Sequence, residues 1–371
     1  MSKLLIIGAG CSRNYSQGTS NVAGLSSPLD SDFFQMAKKI ILQGFIDPTL
    51  LPMIELLVDD LRRLYGYEPP DLNTVSLFGD EQRIGKLAYE QFLEVLDDKR
   101  LSLEKVMTQL SLEKEIFLRL PPFLGYGGNG KAESSDLLAP LVELIATTIS
   151  KALEGPHCLK HLKLANSLKR GDAVVSFNYD ILMDNALRNS NKLTDSGYLI
   201  PFQGIFENGC WEKPVEKISD VVLLKLHGSM NWLHCLNCNS YLLMRSAKIS
   251  SWDASLPKKC PNCEEFNCFE RVIVPPLLTK NYSAQPIEYL WRQANKYVSR
   301  TREIVIIGYS FPPTDFAAEA LLRIALLYTL QKQIRFTVVN PDKTVFERFA
   351  MTFNSSNVEW IRSLEEYLDT L

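Results

Sequence analysis

Four thiols stand in two C-x2-C pairs, Cys235-Leu-Asn-Cys238 and Cys260-Pro-Asn-Cys263. Two such knuckles joined by a loop let four thiolates close a tetrahedron around Zn2+, and a metal with four protein ligands keeps no position open for a substrate. The zinc expected here is structural: it holds a small zinc-ribbon module, residues 232–270, and does no chemistry. Cys268 is a fifth thiol nearby in sequence that could exchange with Cys263 as a ligand. Eight cysteines in 371 residues are too sparse for a disulfide scaffold, and their pairing points to metal and a reducing compartment.

A second group lies at the start, in LLIIGAGCSR, Leu4 to Arg13. Gly8 and Gly10 are the first two glycines of a dinucleotide-binding G-x-G-x-x-G turn, but Arg13 stands where the third belongs. Three readings follow from the residues alone: a damaged fingerprint, a different nucleotide turn, or a strand ending in small residues. His227, in LLKLHGSMNW, closes a buried strand and is one of four histidines. It is either a satisfied core histidine or a group placed for acid–base work, since a neutral imidazole with an ordinary pKa of about 6.5 can accept a proton at physiological pH. SFNYD, Ser176 to Asp180, ends the preceding strand and adds Asn178 and Asp180 to the polar set.

These groups need a scaffold, and the hydrophobic pattern supplies it. Short, almost wholly apolar runs at Lys3–Ile7, Ala173–Phe177, Val221–Leu226, Glu303–Ile307 and Arg335–Val339 read as parallel strands covered on both faces. Each ends in a polar or glycine-bearing turn: GAGCS, NYD, HGS, GYS and NPD. In an open α/β sheet ligands bind outside the carboxyl ends of the strands, so the five turns are expected to face one crevice. Between the first two strands, Asp32–Phe45, Leu50–Tyr65, Gln82–Leu96, Leu103–Leu118 and Asp136–Leu153 carry apolar residues at helical spacing. Pro69-Pro70 and Gly125–Lys131 read as loops. The expected class is α/β: a Rossmann-like, doubly wound parallel sheet formed by 1–30 and 171–371, with a helical insertion at 31–170 and the zinc-ribbon module.

The ordered motifs resemble the sirtuin family: a GAG-x-S turn (Gly8-Ala9-Gly10-Cys11-Ser12), an N-x-D motif (Asn178-Tyr179-Asp180), an HG motif (His227-Gly228), four cysteines, and a G-x-S turn (Gly308-Tyr309-Ser310). The resemblance leaves residues 31–170 unmatched. It implies that NAD is bound, with Gly8, Ala9, Gly10 and Ser12 along the diphosphate and Gly308, Ser310 and Asn340 beside the adenosine end. It further implies that Asn178 and Asp180 hold the nicotinamide ribose and that His227 contacts its hydroxyls or activates the attacking group. The GAGCS turn is then the sirtuin variant, which does not require glycine at position 13.

The chain departs from deacylating sirtuins in three places. SSPLDSDFF (Ser26–Phe34) replaces their IPDFR-like segment, and Phe177 replaces the usual Gln before N-x-D. RVIVPPLLTKNYS replaces the segment that pairs with an acylated peptide, and Pro275-Pro276 lack the backbone donors such pairing needs. GYSFPPTD (Gly308–Asp315) and VVNPD (Val338–Asp342) resemble instead the sirtuin-like proteins of bacterial antiphage defence. That branch implies an NAD glycohydrolase releasing nicotinamide and ADP-ribose, acting as a homo-oligomer beside a separate defence partner protein. The alternatives are an NAD-dependent protein deacylase and a catalytically silent NAD- or ADP-ribose-binding module.

A formal charge of −3, with four basic residues in the loop spanning the cysteines, argues against direct nucleic-acid binding. No apolar run approaches the roughly 18 residues of a membrane span. Leu4–Ile7 is too short for a signal sequence before Cys11, so the expected location is cytoplasmic. No appended sensor domain is expected after the last strand and its closing helix.

Overall fold

The computed structural model describes residues 2–13, 15, 25–48, 50–67, 89–117, 137–155, 157–245, 257–278, 280, 282, 285–312, 315–328, 334–353 and 358–371. The loops expected at Pro69-Pro70 and Gly125–Lys131, and the first half of the helix expected at Gln82–Leu96, lie outside them.

In chain order the strands are β1 (Lys3–Ile7), β2 (Ala173–Ser176), β3 (Gly204–Glu207), β4 (Cys210–Glu212), β5 (Val222–Lys225), β6 (Gly228–Cys235), β7 (Tyr241–Met244), β8 (Phe269–Ile273), β9 (Glu303–Ile307), β10 (Arg335–Val339) and β11 (Val358–Ile361). Six of them form one parallel sheet in the order β11-β10-β9-β1-β2-β5. Numbered within that sheet, this is the 3-2-1-4-5-6 order of a dinucleotide-binding fold, read from the other edge. The expected α/β class is the one observed. Every residue of β2, and all but the first of β1, β9 and β10, is buried. Successive side chains point to opposite faces, so both faces of the sheet are covered.

The expected strands at Ala173–Phe177 and Val221–Leu226 are shorter in the structure, because Phe177, Val221 and Leu226 belong to the flanking turns. β11 was not anticipated; its Trp360 and Glu359 are only partly buried or exposed, so it carries no apolar run.

Among the described residues, those between β1 and β2 contain helices and no strand: a short one at Ala9–Arg13, then Phe33–Leu42, Leu51–Tyr65, Leu103–Phe117, Leu138–Ala152 and Leu159–Ser167, with a 3-10 turn at Leu93–Asp97. The Leu51–Tyr65 helix has Pro52 in its first turn, Arg62 and Arg63 in its last, and ends at Gly66 in the left-handed region (φ 75°), where glycine carries no Cβ penalty. These helices share a core of their own, including Phe33, Ile54, Met107 and Leu144, which also takes in Ile181 and Met230. The helical layer thus touches the segment following Asn178-Tyr179-Asp180. Leu159–Ser167 instead packs Leu164 and Ala165 into the core of the parallel sheet.

The second sheet, β4-β3-β7-β6-β8, leaves the parallel sheet directly after His227 and carries the cysteine knuckles. Gly228 makes that exit possible. Its φ is 79°, and a Cβ there would lie 2.1 Å from the carbonyl oxygen of Val272.

Candidate functional site

The order of the parallel sheet reverses between β1 and β9, and the turns after these two strands are in backbone contact. The Gly10 N–H donates to the Gly308 carbonyl at 2.8 Å, and the Gly8 N–H to Ile307 at 3.0 Å. A Cβ at Gly8 would sit 2.6 Å from Tyr309 Cα, and one at Gly10 2.8 Å from the Gly308 oxygen. Gly308, at φ 60°, would drive a Cβ to 2.1 Å from the Cys11 nitrogen. The three glycines are required by this close approach of two turns, whatever the site binds. Ala9 is the exposed residue of the first turn.

Ser12 is fully buried, and its hydroxyl is committed within the protein. It donates to Asp180 Oδ2 at 2.7 Å and accepts from Asn178 Nδ2 at 3.2 Å. Asn178 Nδ2 also donates to the Gly8 carbonyl at 3.0 Å, while its buried Oδ1 finds no hydrogen-bond partner. Asp180 Oδ1 accepts the Leu182 N–H at 3.0 Å, at the start of the Leu182–Asn189 helix. Gly8, Ser12, Asn178 and Asp180 therefore form one connected network. Beneath it lies Lys225, the last residue of β5 and fully buried. Its ammonium donates to the Asp180 carbonyl and Ser229 Oγ, both at 2.5 Å, and pairs with Asp184 at 3.2 Å. A buried ammonium is tolerable only when held in this way. Sequence reasoning passed over Lys225, although a lone lysine in the apolar run LLKL was the available signal.

His227 belongs to a neighbouring cluster. Its ring meets Phe177 edge-on at 5.1 Å and lies near Tyr282 at 6.1 Å and 21°. Phe177 in turn stacks on Tyr309 at 4.4 Å. His227 Nε2 is buried without a hydrogen-bond partner, 3.9 Å from Asp315 Oδ2. Asp315 accepts from Tyr309 at 2.5 Å on Oδ2 and from Tyr282 at 3.2 Å on Oδ1. Burial pushes the His227 pKa down to about 4, against an opposing pull from the Asp315 carboxylate, so the ring is neutral at physiological pH. Burial and the same carboxylate hold the Tyr309 and Tyr282 hydroxyls well above their ordinary range. Asp315 and the two tyrosines were not singled out in the sequence, although Tyr309 and Asp315 lie in the quoted GYSFPPTD.

Ser310 and Asn340 follow β9 and β10 on the same edge of the sheet. Ser310 is exposed and its carbonyl accepts from Arg348 at 3.1 Å. Asn340 is buried, and its Oδ1 caps the Asp342 N–H at 3.0 Å. Asn178 and His227 were expected on strand-end turns outside the packed core; they lie on those turns but are buried, beside the Ser12 network and the aromatic cluster.

In the second sheet, Cys235, Cys238, Cys260 and Cys263 bring their sulfurs within 4.8 Å of one another. Cys235 lies 3.6 Å from Cys263, and Cys238 3.7 Å from Cys260. Four sulfurs at a Zn–S length of about 2.3 Å in a tetrahedron stand roughly 3.8 Å apart, so the cluster has the dimensions of a zinc site. Cys268 lies 3.3 Å from Cys235 but is outside the mutually close four.

No family model matches the chain, and no curated protein matches it. Among solved structures, a mutant Sir2 homologue in complex with ADP-ribose is 18% identical, with 57% of this chain and 63% of that chain covered at a TM-score of 0.33. A second mutant Sir2 homologue with ADP-ribose is 14% identical, covering 100% of this chain and 89% of the other at 0.39. A Sir2 homologue–NAD complex is 17% identical, covering 63% and 72% at 0.37. The chain spans 63% of the length of the first of these.

Proposed function

We propose that the chain is a sirtuin-like NAD glycohydrolase, cleaving NAD to nicotinamide and ADP-ribose with water as the acceptor. The observation that carries this reading is a pair of buried polar atoms without partners, Asn178 Oδ1 and His227 Nε2, at the carboxyl ends of β2 and β5 beside the reversal point of the sheet. Buried polar groups are nearly always hydrogen-bonded, so two exceptions at neighbouring strand ends call for a partner from outside the chain. Asn178 Oδ1 suits a hydroxyl of a ribose and His227 Nε2 suits the attacking water, and the motif order supports the remaining assignments.

On this reading Gly8–Ser12 hold the diphosphate, with exposed Ala9 nearest to it, and Gly308 lies toward the adenosine. Ser310 and Asn340 lie toward the adenosine. Bound NAD supplies the nicotinamide–ribose bond, whose heterolysis leaves an oxocarbenium-like centre. Asn178 orients the ribose through Oδ1, its amide nitrogen being anchored on Gly8 and Ser12. Asp180 fixes Ser12, and through it Asn178, so its part is positioning. Neutral His227 accepts the proton of the attacking water. The aromatic wall of Phe177, Tyr309 and Tyr282 excludes bulk water. Zinc on the four cysteines stabilises the second sheet and takes no part in the reaction.

The wider role follows from the resemblance to antiphage sirtuin-like proteins: a cytoplasmic effector, working as a homo-oligomer under the control of a separate partner protein. A free NAD hydrolase would deplete its own cell, so some restraint is required. Purified protein incubated with NAD, with and without an acetylated peptide, tests the reading. Nicotinamide and ADP-ribose released without peptide support the hydrolase. Release only with peptide makes the chain a deacylase, and binding without turnover makes it a silent module.

A further inference from the structure

We propose that Asp315 is a second catalytic residue, and that the gap between its Oδ2 and His227 Nε2 is the seat of the attacking water. The proposal rests on the NAD-hydrolase reading for its chemistry and on independent geometry for its place.

Four observations converge on this gap. His227 Nε2 is buried and has no hydrogen-bond partner, and because the ring donates to the Phe177 backbone through its other nitrogen, Nε2 keeps the lone pair. Asp315 is only 3% exposed, and a carboxylate so deeply placed needs donors. Tyr309 and Tyr282 supply one donor to each of its oxygens, which fixes the plane of the carboxylate and leaves further lone pairs on both. Finally, Nε2 and Oδ2 stand 3.9 Å apart. That is too far for a direct hydrogen bond. A water about 2.8 Å from each of two atoms at this separation subtends roughly 90° at its oxygen, close to the opening of its own two O–H bonds. One water can therefore donate to both acceptors, leaving its own lone pairs directed away from them.

The step balances without any further reagent. The water's oxygen bonds to the anomeric carbon of the ribose, and one of its protons passes to His227 Nε2. The carbon–nitrogen bond to the pyridinium ring breaks, and its electron pair neutralises the departing nicotinamide. Asp315 stays ionised throughout. It holds the water's second proton before attack and faces the imidazolium afterwards, the two tyrosines keeping it from swinging onto the ring. A carboxylate that simply paired with His227 would occupy Nε2 and leave no base.

Two measurements test this. In a high-resolution crystal structure of the wild type, one ordered water is expected within hydrogen-bond distance of both Nε2 and Oδ2. A direct Nε2–Oδ2 hydrogen bond, or no water touching both atoms, overturns the proposal. In kinetics, Asp315→Asn keeps the size of the side chain and is expected to lower kcat for NAD cleavage on the order of 100-fold, with KM changed less than threefold. Turnover within threefold of wild type overturns it. Should Asp315→Asn not fold, Tyr309→Phe removes one donor while keeping the ring stacked on Phe177. It is then expected to lower kcat at least tenfold, and unchanged kcat overturns the proposal. If the wild type leaves NAD intact, the NAD reading fails by itself, and the crystallographic water still decides whether the cradle exists.

Discussion

Replacing Ser12 separates two roles that its motif allows. Its hydroxyl donates to Asp180 Oδ2 at 2.7 Å and has no exposure, so Ser12→Ala leaves a buried carboxylate short of one donor. Asp180 keeps the Leu182 N–H on its other oxygen, and Asn178 keeps the Gly8 carbonyl, so the network is damaged but not dissolved. Loss of one hydrogen bond to a buried charged group costs about 1.5–3 kcal/mol. In a protein of this size that lowers Tm on the order of 4 °C. Asp180→Asn, by removing the charge that Ser12 serves, should make the serine nearly dispensable. The double-mutant cycle of Ser12→Ala and Asp180→Asn, read by thermal or urea unfolding, is therefore expected to give a coupling energy of about 1–2 kcal/mol. Effects that add to within about 0.5 kcal/mol would refute the idea that Ser12 acts through Asp180. A stable Ser12→Ala protein that had lost ADP-ribose affinity would return the hydroxyl to the diphosphate.

Three further outcomes are expected. The purified protein should carry close to one zinc per chain by metal analysis, and Cys238→Ser or Cys260→Ser should lose both metal and stability, because zinc binding contributes folding free energy; a metal-free, stable wild type would defeat this. Gly308→Ala should fail to fold or lose several kcal/mol, as its Cβ would fall 2.1 Å from the Cys11 nitrogen, whereas Gly171→Ala, with nothing within 4 Å, should cost only about 1 kcal/mol for its positive φ. Acid stability should report His227: above pH 6.5 the folded and unfolded states both hold it neutral, and as pH falls from 6.5 through about 4 the unfolded chain takes up the proton first, removing about 3 kcal/mol. His227→Gln should flatten that part of the profile, and an unchanged slope in urea midpoints between pH 7 and 4.5 would contradict the buried neutral state.

The parallel sheet was legible because each strand is a short apolar run closed by a turn, and that pattern is what burial on both faces demands. β11 was not, since its residues stay partly exposed and its place depends on pairing with β10, information held in no local pattern. The cysteine cluster was legible for a different reason: thiolate spacing is itself the ligand geometry, and the four sulfurs lie where the spacing puts them. Lys225 and Asp315 were hidden because their roles come from long-range partners. Lys225 reaches back to Asp180 and Asp184 on the segment after β2, and Asp315 meets Tyr282 and His227 from other elements. A sequence motif names residue types at one strand end but does not say which groups converge from the next.

The motif N-x-D also conceals a division that the fold makes plain. Asn178 and Asp180 face Ser12, while Phe177 and Tyr179, the residues between and beside them, lie near His227 at 5.1 Å and 6.4 Å. This is the period-two alternation of β2 carried past its last residue, so one strand end serves two faces. One face anchors the Asn178 amide to the glycine turn of β1. The other lines the aromatic enclosure around His227. The usual Gln of deacylating sirtuins at position 177 would put a polar group into that enclosure. Phe177 instead stacks on Tyr309, which in turn donates to Asp315. Phe177 and the carboxylate at 315 are thus parts of one construction: an aromatic wall backing a carboxylate and a histidine. Such a wall keeps the imidazole neutral and restricts the number of waters that reach it. On the proposed hydrolase reading those two conditions suit attack by a single held water, and Pro275-Pro276, which follow the strand beside His227, carry no backbone N–H.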